Sequence, residues 1–551
     1  MISKSITSKN GTVSVRSFGG LSREPKNAVG EFSDMENMTH KYYPSISSVK
    51  GSSICASAPD GAQIVKYIIP KYIESDKTKF SGVAKEADGE YSIYINGVKK
   101  CGGISEFSDA VDFGGSIITI PEFKGFNYVV KNDYDSANIK PYKATTKNST
   151  VFSSSSDGSN HEVICVSNDV NFFNKFDAGK CIAISGCTGY AAENNTWYPE
   201  NSLDYSKESP VMIKVISLTK TNGNLYVAVY DAKGKMTSFP RHEPSPDGIT
   251  VEELMPRVEH ICMHKNRLWA TSKSGEFIYA SAPGKPLEFY KLDNLSTSSW
   301  YGSVGTPGKF TGIVSWNSRV IAFKKNSMNI VYGDNAKNFS IGKKYTVGCI
   351  DKNSIACISD SVIWLGGDGF YLYSGSVPKR ISDKLCGDFS SCRAFACEGK
   401  YYAECVNGDK KEFLVYDLEK NLWSKLKCEN LLGGECDGKD IYIWSESNVK
   451  KMFSGGFGDF YFETVPMYFD SFDNQSVIKL YIRCQMKDGA FFNIYTKTEH
   501  SDFSAHRGIS KSGKSKIPIR YKSGDCLILR FEGSGDVCIT DIEMMFTTEV
   551  T

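Results

Sequence analysis

The chain has 551 residues, of which 40% are hydrophobic and 13% aromatic, so it has ample material for hydrophobic cores and is not disordered by default. Its 65 basic and 63 acidic residues give a net charge of +2, which excludes a strongly basic nucleic-acid coat and an acidic solvating tail. The length predicts roughly three domains. No stretch approaches the roughly 18 apolar residues of a membrane-spanning helix, so we predict no membrane-spanning segment.

The N-terminal segment contains Pro and Gly and has few alternating apolar runs, and we predict that residues 1–54 form an arm rather than a propeller blade. Its first residues, MISKSITSKNGTVSV, lack the apolar core of a secretory signal peptide. Ser33 to Glu36 matches a capping box, which predicts a short helix from Asp34 to Met38.

The middle of the chain is punctuated by turn signals and contains a loose repeat. Eleven Asn-Gly or Asp-Gly dipeptides occur in the sequence, most of them between alternating apolar stretches, and each can supply the positive φ of a two-residue hairpin turn. Each repeat unit predicts a strand, a polar turn, an apolar strand, a second turn and an aromatic strand. The five units are residues 261–282, 313–334, 355–375, 396–417 and 435–455.

A period of roughly 40 to 50 residues with three or four short strands is typical of β-propeller blades, which stack because one blade cannot bury both of its faces. Residues 60–100 and 109–133 look like two further units. We therefore predict an all-β propeller of six or seven blades, with its first part at 55–144 and its second at 251–456. A series of β-sandwiches is the alternative fold.

The pattern changes between the two propeller parts, where residues 145–250 contain four or five apolar segments. These segments predict a small β-barrel domain inserted into the propeller. Directly after it, Val251 to Met255 fits a turn of helix. After the propeller, residues 457–551 alternate apolar and polar positions in five segments, which predicts a C-terminal β-sandwich.

The 17 cysteines are scattered, with no CxxC pair, and most of them lie within apolar runs. We interpret them as reduced thiols that pack as small hydrophobes in a protein folded in a cytoplasm. A zinc site or a disulfide framework is the alternative.

The motifs of catalysis are missing from the sequence. There is no phosphate-binding Gly-rich loop followed by lysine, no HExxH and no nucleophile elbow. His260 and His264 are four residues apart on a predicted strand, where roughly 13 Å would separate them, so we interpret them as hairpin residues rather than metal ligands. Asp368 and Asp437 are available as a glycosidase pair, but each precedes glycine and is better explained as a turn residue. We predict that the protein is not an enzyme and needs no cofactor or metal.

A basic stretch near the C-terminus is the one candidate contact site. It has six basic residues and no acid, and it fits either a solvated hairpin whose lysines prevent edge-to-edge association or a contact with a neighbouring subunit or nucleic acid. The six residues are Arg507, Lys511, Lys514, Lys516, Arg520 and Lys522. Five of the seven tryptophans lie in repeat units, which indicates core packing rather than a platform for sugars.

Two stretches resemble a known family. Residues 18–51 contain an FGG segment, an acidic Asp-Met-Glu and a Tyr-Pro turn, and they resemble the opening of tailed-bacteriophage virion proteins of the tail-nozzle and head-stabilisation β-propeller type. Residues 258–386 present HKNRLWATS, IYASAPGKPLEFY, VIWLGGDGFYLYSG and KRISDKL in the order of the propeller in those proteins. FDAGKCIAISGCTGYAAENNTWY is similar to the small barrel that they carry.

The resemblance implies a structural virion protein that assembles in the cytoplasm of a bacterial host. It would form a homo-oligomeric ring, hexameric by analogy, as a nozzle or hub at the tail tip or in the neck. The ring would contact neighbouring tail or portal/adaptor proteins, retain the genome and conduct double-stranded DNA during ejection. The near-neutral charge suits this task, because a conduit must not grip the phosphates that pass through it.

Two other functions fit the sequence. One is a host-surface propeller that binds carbohydrate or hydrolyses glycans, which predicts a funnel lined by aromatic side chains and two carboxylates. The other is a cytosolic propeller scaffold without a viral role, which would remain monomeric.

Overall fold

A computed structural model describes most of the chain, which divides into two compact units. The first comprises residues 1–67, 77–80 and 353–551, and the second comprises 68–76 and 81–352. The described residues are 8–24, 28–130, 137–146, 151–154, 162–165, 180–185, 187–188, 211–219, 224–231, 236–237, 243–244, 249–292, 294–468, 475–498, 501–519, 524 and 526–549.

Six strands of the first unit come from the N-terminal part of the chain. They are β1 (Ser8–Val15), β2 (Phe32–Glu36), β3 (Met38–Thr39), β4 (Ile46–Ser48), β5 (Ser53–Ser57) and β6 (Gln63–Tyr67).

The second unit begins with two antiparallel meanders, in which neighbours in sequence are neighbours in the sheet. The first contains β7 (Gly82–Lys85), β8 (Tyr91–Ile95) and β9 (Val98–Ile104). The second contains β10 (Phe107–Asp112), β11 (Ser116–Pro121), β12 (Gly125–Asn127) and β13 (Asn138–Ile139).

An inserted β domain follows these meanders. Its strands are β14 (Lys143–Thr146), β15 (Val151–Ser154), β16 (Glu162–Cys165), β17 (Cys181–Ser185), β18 (Cys187–Thr188), β19 (Val211–Thr219), β20 (Asn224–Asp231), β21 (Met236–Thr237), β22 (Glu243–Pro244) and β23 (Ile249–Glu253). The main sheet has the order β14-β23-β17-β19-β20-β16-β15. Its two end strands, β14 and β15, are consecutive in the chain, as expected of a sheet that curls into a small barrel.

Two further four-stranded meanders complete the second unit. They are formed by β24 (Val258–His264), β25 (Arg267–Ser272), β26 (Phe277–Ala280), β27 (Trp300–Ser303), β28 (Phe310–Trp316), β29 (Arg319–Lys324), β30 (Ser327–Tyr332) and β31 (Ser340–Tyr345).

The first unit contains three sheets of the same type, of which the last is completed by a strand from the opposite end of the chain. β5 pairs with β42, so this sheet has the order β40-β41-β42-β5. Two 3₁₀ turns, Lys352–Ser354 (spanning the boundary of the units) and Asp383–Leu385, are also described. The strands are β32 (Ala356–Ile358), β33 (Ser361–Gly366), β34 (Gly369–Tyr373), β35 (Lys379–Arg380), β36 (Phe389–Cys397), β37 (Lys400–Asn407), β38 (Lys410–Asp417), β39 (Leu422–Leu426), β40 (Gly433–Asp437), β41 (Asp440–Trp444) and β42 (Asn448–Lys451).

These sheets pack in the manner of propeller blades. Within the second unit β10 contacts β24 and β24 contacts β28, and within the first unit β32 contacts β36 and β36 contacts β40, so the first strands of successive sheets are neighbours. The Asn-Gly signal acts as predicted at Asn96-Gly97, where both residues have positive φ (47° and 78°) and Ile95 pairs directly with Val98. All five repeat units fall on successive sheets from β24 to β42, and the all-β propeller fold class is confirmed.

The last part of the chain forms two sheets of a β-sandwich, and both include strands from residues 8–48. One sheet has the order β3-β4-β49-β44-β47, with β1 also paired to β49, and the other has the order β2-β43-β48-β45-β46. The strands are β43 (Asp459–Thr464), β44 (Gln475–Met486), β45 (Phe491–Lys497), β46 (Ser504–Ile509), β47 (Gly513–Pro518), β48 (Ile528–Ser534) and β49 (Val537–Glu549). Residues 1–54 therefore supply four strands to this sandwich. The domain boundaries drawn from the sequence stay predictions.

Both helices predicted from the sequence are wrong, because pairing with distant strands overrides the local signal. The helix expected from Asp34 to Met38 is replaced by β2, which pairs with β43 more than 400 residues later. The hydroxyl of the capping-box serine, Ser33, donates a hydrogen bond to Glu463 of β43, whereas in a capping box its oxygen would accept one from a backbone N–H of the same turn. A β-bulge between Phe32 and Asp34 shifts the alternation of buried residues and so imitates a helical period. The turn of helix at Val251 to Met255 is likewise replaced, by β23.

One pair of cysteines differs from the reduced state expected from the sequence. Cys397, at the end of β36, forms a disulfide with Cys436 on β40, with 5.6 Å between the two Cα atoms. The two strands are adjacent first strands of successive blades, so only their packing brings the thiols together. Thirteen other cysteines among the described residues form no disulfide.

Candidate functional site

The basic stretch predicted as a contact site lies at the edges of the C-terminal sandwich. β46 ends one sheet of the sandwich and carries Arg507, whereas β47 ends the other sheet and carries Lys514 and Lys516. Lys511 lies in the connection between these two strands. The remaining two residues of the predicted set, Arg520 and Lys522, lie outside the described residues.

The four described basic side chains are exposed, and none of them forms an ion pair with another described residue. Lys514 lies over the ring of Tyr481, with its Nζ 4.7 Å from the ring centroid. Lys514 is also directly opposite Arg483 on β44, and like charges in that arrangement repel. Arg483 is partly compensated by Asp541, which lies 3.8 Å away. This edge therefore presents positive charge to solvent.

Exposed basic residues on two edge strands and in their connection fit both interpretations made from the sequence. The charges discourage another strand from pairing with the edge, and they also offer an electrostatic contact to an acidic surface or to phosphates. The role of the six residues as a subunit or DNA contact stays a prediction.

The histidines singled out in the sequence are buried strand residues. On β24, the Nε2 of His260 is 3.2 Å from the carbonyl oxygen of Phe310, and the Nδ1 of His264 is 2.8 Å from the hydroxyl of Ser315. Burial, together with the positive charge of Lys352, lowers the pKa of His260. Within the described part of the chain, no group of three or more His, Cys, Asp or Glu side chains is placed to hold a metal ion.

Of the two candidate carboxylates, Asp368 is a turn residue, as predicted, and Asp437 directly precedes a turn. Asp368 lies between β33 and β34 and accepts a hydrogen bond from the Tyr371 hydroxyl at 2.8 Å. Asp437 lies at the end of β40 and pairs with Lys77. The blade tryptophans pack in cores, also as predicted: Trp269, Trp316, Trp364, Trp423 and Trp444 are all buried.

The second unit contains a cleft of about 530 Å³ that sequence reasoning missed. Aromatic side chains of Phe289 and Tyr290 line it together with two glutamates, Glu253 and Glu288. Glu253 pairs with Lys180 and also accepts a hydrogen bond from the backbone of Tyr142 at 3.0 Å.

Glu288 in this cleft is only partly compensated. One of its carboxylate oxygens lies 3.3 Å from Lys285, whereas the other, Oε2, is buried without a hydrogen-bond partner among the described residues. The lining residues come from three separate stretches, 113–139, 180–181 and 253–291, so no local motif could have indicated the cleft.

No helix among the described residues has the length and apolar character needed to cross a membrane. No family model matches the chain, and no curated protein matches it.

The chain is similar to solved propeller structures at very low sequence identity. Hsv2 of Kluyveromyces marxianus is 9% identical, with a TM-score of 0.25, and the match covers 43% of this chain and 68% of Hsv2. The β-propeller domain of the Trilobed protease from Pyrococcus furiosus is 10% identical, with a TM-score of 0.24, and the match covers 63% of this chain and 98% of that one. PorZ of Porphyromonas gingivalis is 10% identical, with a TM-score of 0.27, and the match covers 75% of this chain and 45% of PorZ.

Proposed function

We propose that the protein is a structural virion protein of a tailed bacteriophage. In this proposal it forms a ring at the tail tip or neck that retains the genome and conducts DNA during ejection. The observation that carries the proposal is where the resembling stretches fall. Residues 258–386 run through β24 to β35, which form three successive blades, and residues 18–51 include β2, β3 and β4.

The charges of the molecule support the same proposal. With a net charge of +2 on 551 residues, a channel wall would attract phosphates only weakly. The exposed basic edge offers a local contact to a neighbouring copy. A contact of that kind, repeated between copies around a closing rotation, generates a ring.

The mass of the full-length protein in solution tests the proposal directly. Light scattering and negative-stain imaging over a concentration series should show a closed ring of several copies with an axial hole wide enough for duplex DNA. A monomer at every concentration, also in the presence of a candidate portal or adaptor ring, would overturn it.

A charge reversal tests the basic edge. The triple variant Lys511→Glu, Lys514→Glu, Lys516→Glu should shift the assembly equilibrium toward monomer, because it turns a positive edge negative. The matched control, Lys273→Glu, Lys309→Glu, Lys337→Glu, changes three exposed lysines of the second unit and should assemble normally. Equal assembly of both variants would remove this edge from the contact.

Carbohydrate binding is the second candidate function, and the cleft of the second unit favours it. Aromatic rings and carboxylates in one cleft are the groups that hold sugars. A glycan screen should then give a ligand whose binding is lost in Glu288→Gln and kept in the exposed control Glu90→Gln. Absence of any ligand in the screen would leave the virion proposal as the better one.

A further inference from the structure

The first unit contains a second cleft, of about 510 Å³, which we call the lysine cleft. Its walls come from β3 and β4 of the sandwich and from strands of the blades β36–β39 and β40–β42. Five lysines line it, against two acidic residues, Glu398 and Asp536. The five are Lys41, Lys50, Lys400, Lys439 and Lys487.

Most of the positive charge in the lysine cleft is not compensated. Lys487 is paired with Asp536 at 2.7 Å, and Lys400 lies 3.9 Å from Asp417. The other three lysines form no ion pair within the described part of the chain. Burial lowers the pKa of Lys400, the carboxylate of Asp417 opposes this shift, and the positive charge of Lys41 adds to it.

The lysine cleft also offers aromatic and apolar surface. The ammonium of Lys41 lies 5.5 Å from the ring centroid of Tyr42, which is 59% exposed, and that of Lys50 lies 5.9 Å from the ring centroid of Phe457. Val415 and Leu426 line the cleft as well.

A polar group without a partner points independently to a ligand. Ser47 on β4 lines the cleft and is 3% exposed. Its buried hydroxyl has no hydrogen-bond partner among the described residues. Buried hydroxyl groups are normally hydrogen-bonded, so an unpaired one in the wall of the lysine cleft is consistent with a partner supplied by a bound ligand.

We propose that the lysine cleft binds a phosphate-bearing ligand with a planar apolar group, that is, a nucleotide, either free or within a single strand of nucleic acid. The cleft is lined by lysine and by no arginine. Ammonium groups bind phosphate as point charges and, unlike the arginine fork, require no planar arrangement of the acceptor oxygens. Exposed aromatic rings beside lysines are the arrangement on which bases stack. The volume suits one small ligand.

This inference goes beyond the proposed function, because a ring could assemble with or without a nucleotide in the cleft. It is tested on the full-length protein by isothermal titration calorimetry with AMP and by fluorescence anisotropy with labelled oligothymidylate. Inorganic phosphate and tetraglutamate are titrated in parallel. AMP should bind, inorganic phosphate should compete more weakly, and tetraglutamate should bind least.

The double variant Lys41→Gln, Lys50→Gln should lower the affinity for AMP about a hundredfold, since each lost hydrogen bond to a charged group costs about tenfold in affinity. Tyr42→Ala should weaken binding while keeping every lysine. The matched control, Lys273→Gln with Lys309→Gln, should bind like the unmodified protein. Thermal melts of all variants check that they are folded.

The probes separate the two sources of the phosphate. An oligothymidylate that binds far more tightly than AMP, with an affinity that falls steeply with salt, indicates single-stranded nucleic acid. Equal affinities indicate a free nucleotide. Failure of both AMP and oligothymidylate to bind at millimolar concentration would overturn the proposal, as would unchanged binding in the Lys41 and Lys50 double variant. Tighter binding of tetraglutamate would identify a cleft for acidic peptides instead. None of these outcomes depends on whether the protein forms rings.

Discussion

The ion pair between Arg23 and Glu412 should hold the N-terminal segment against the blade formed by β36–β39. Two hydrogen bonds join the side chains, from Nη1 to Oε2 at 3.0 Å and from Nη2 to Oε1 at 2.5 Å. Glu412 also accepts a hydrogen bond from Asn407 at 2.9 Å. Two residues away, the backbone N–H of Leu21 donates to the carbonyl of Trp423 on β39. The test is to replace Arg23 by methionine, which keeps the unbranched apolar stem of the side chain and removes the guanidinium with its charge.

The expected cost follows from the burial of the pair. Removing one partner of a buried ion pair costs about 3–5 kcal/mol, because the other charge is left without compensation. Here the Arg23 side chain is 22% exposed and that of Glu412 is 10% exposed, and Asn407 still donates to the remaining carboxylate. We therefore expect Arg23→Met to lower the free energy of unfolding by about 2 kcal/mol, below the range for a fully buried pair.

A double-mutant cycle isolates the interaction itself. Arg23→Met, Glu412→Gln and the double variant are unfolded in urea, with tryptophan fluorescence as the signal, since Trp423 is buried beside the attachment point. The coupling between the two substitutions should be about 1–2 kcal/mol. Lys85→Met, at an exposed strand end, is the control for a change from a cation to methionine.

The same pair gives a dependence on pH with a defined sign. Burial alone would raise the pKa of Glu412, but hydrogen bonds from Arg23 and Asn407 lower it below its ordinary value of 4.5. The stabilisation is therefore present above pH 4.5 and is lost as the pH falls through the lower pKa of the folded protein. The difference between the unmodified protein and Arg23→Met should shrink on acidification. Additive substitutions, or a difference that grows in acid, would refute the reasoning.

Three further changes follow from the fold. Deleting residues 1–50 removes β1–β4 with the fully buried Phe32 and Met35, whose side chains each contribute about 1.5–3 kcal/mol to stability. The C-terminal sandwich should therefore be cleaved more readily in limited proteolysis. A sandwich as resistant as that of the unmodified protein would contradict this. Ala56→Pro interferes with the pairing of β5 with β42 and should lower the melting temperature by several degrees. A melting temperature identical to that of the unmodified protein would show that this pairing does not stabilise the blade. Cys436→Ser should lower the free energy of unfolding by about 2–4 kcal/mol under oxidising conditions and leave it unchanged in reductant. If reductant does not change the melting temperature of the unmodified protein, the disulfide is not a stabilising link.

Local features of the sequence were enough to predict the blades. The turn at Asn96-Gly97 needs positive φ at two successive residues, and Asn-Gly meets that need whatever surrounds it. Alternation of apolar residues on both sides then predicts the two strands, so the repeat could be read at the right places from 261 to 455. The core positions of Trp269 and Trp364 follow in the same way, because both lie in the most apolar strand of their unit.

The candidate site could be predicted only in part. The basic residues were visible because they are close together in sequence, and their position at the sheet edges fits both interpretations made for them. The lysine cleft was not visible, because Lys41, Lys50 and Lys439 contribute one ammonium each from separate segments. A single lysine in a turn carries no sequence signal that distinguishes it from any other solvated lysine.

The sequence by itself determined the class of structure, since strand period, turn chemistry and repeat length act within a few residues of one another. Tertiary structure decided which strands close the sheets: β5 completes the blade of β40–β42, and β2 pairs with β43 although its own sequence favours a helical turn. It also decided that Cys397 and Cys436 meet. The physical reason is common to these cases. Backbone hydrogen bonds and apolar burial between segments hundreds of residues apart outweigh local preferences of about 1 kcal/mol or less, and no local pattern encodes which distant segment will supply them.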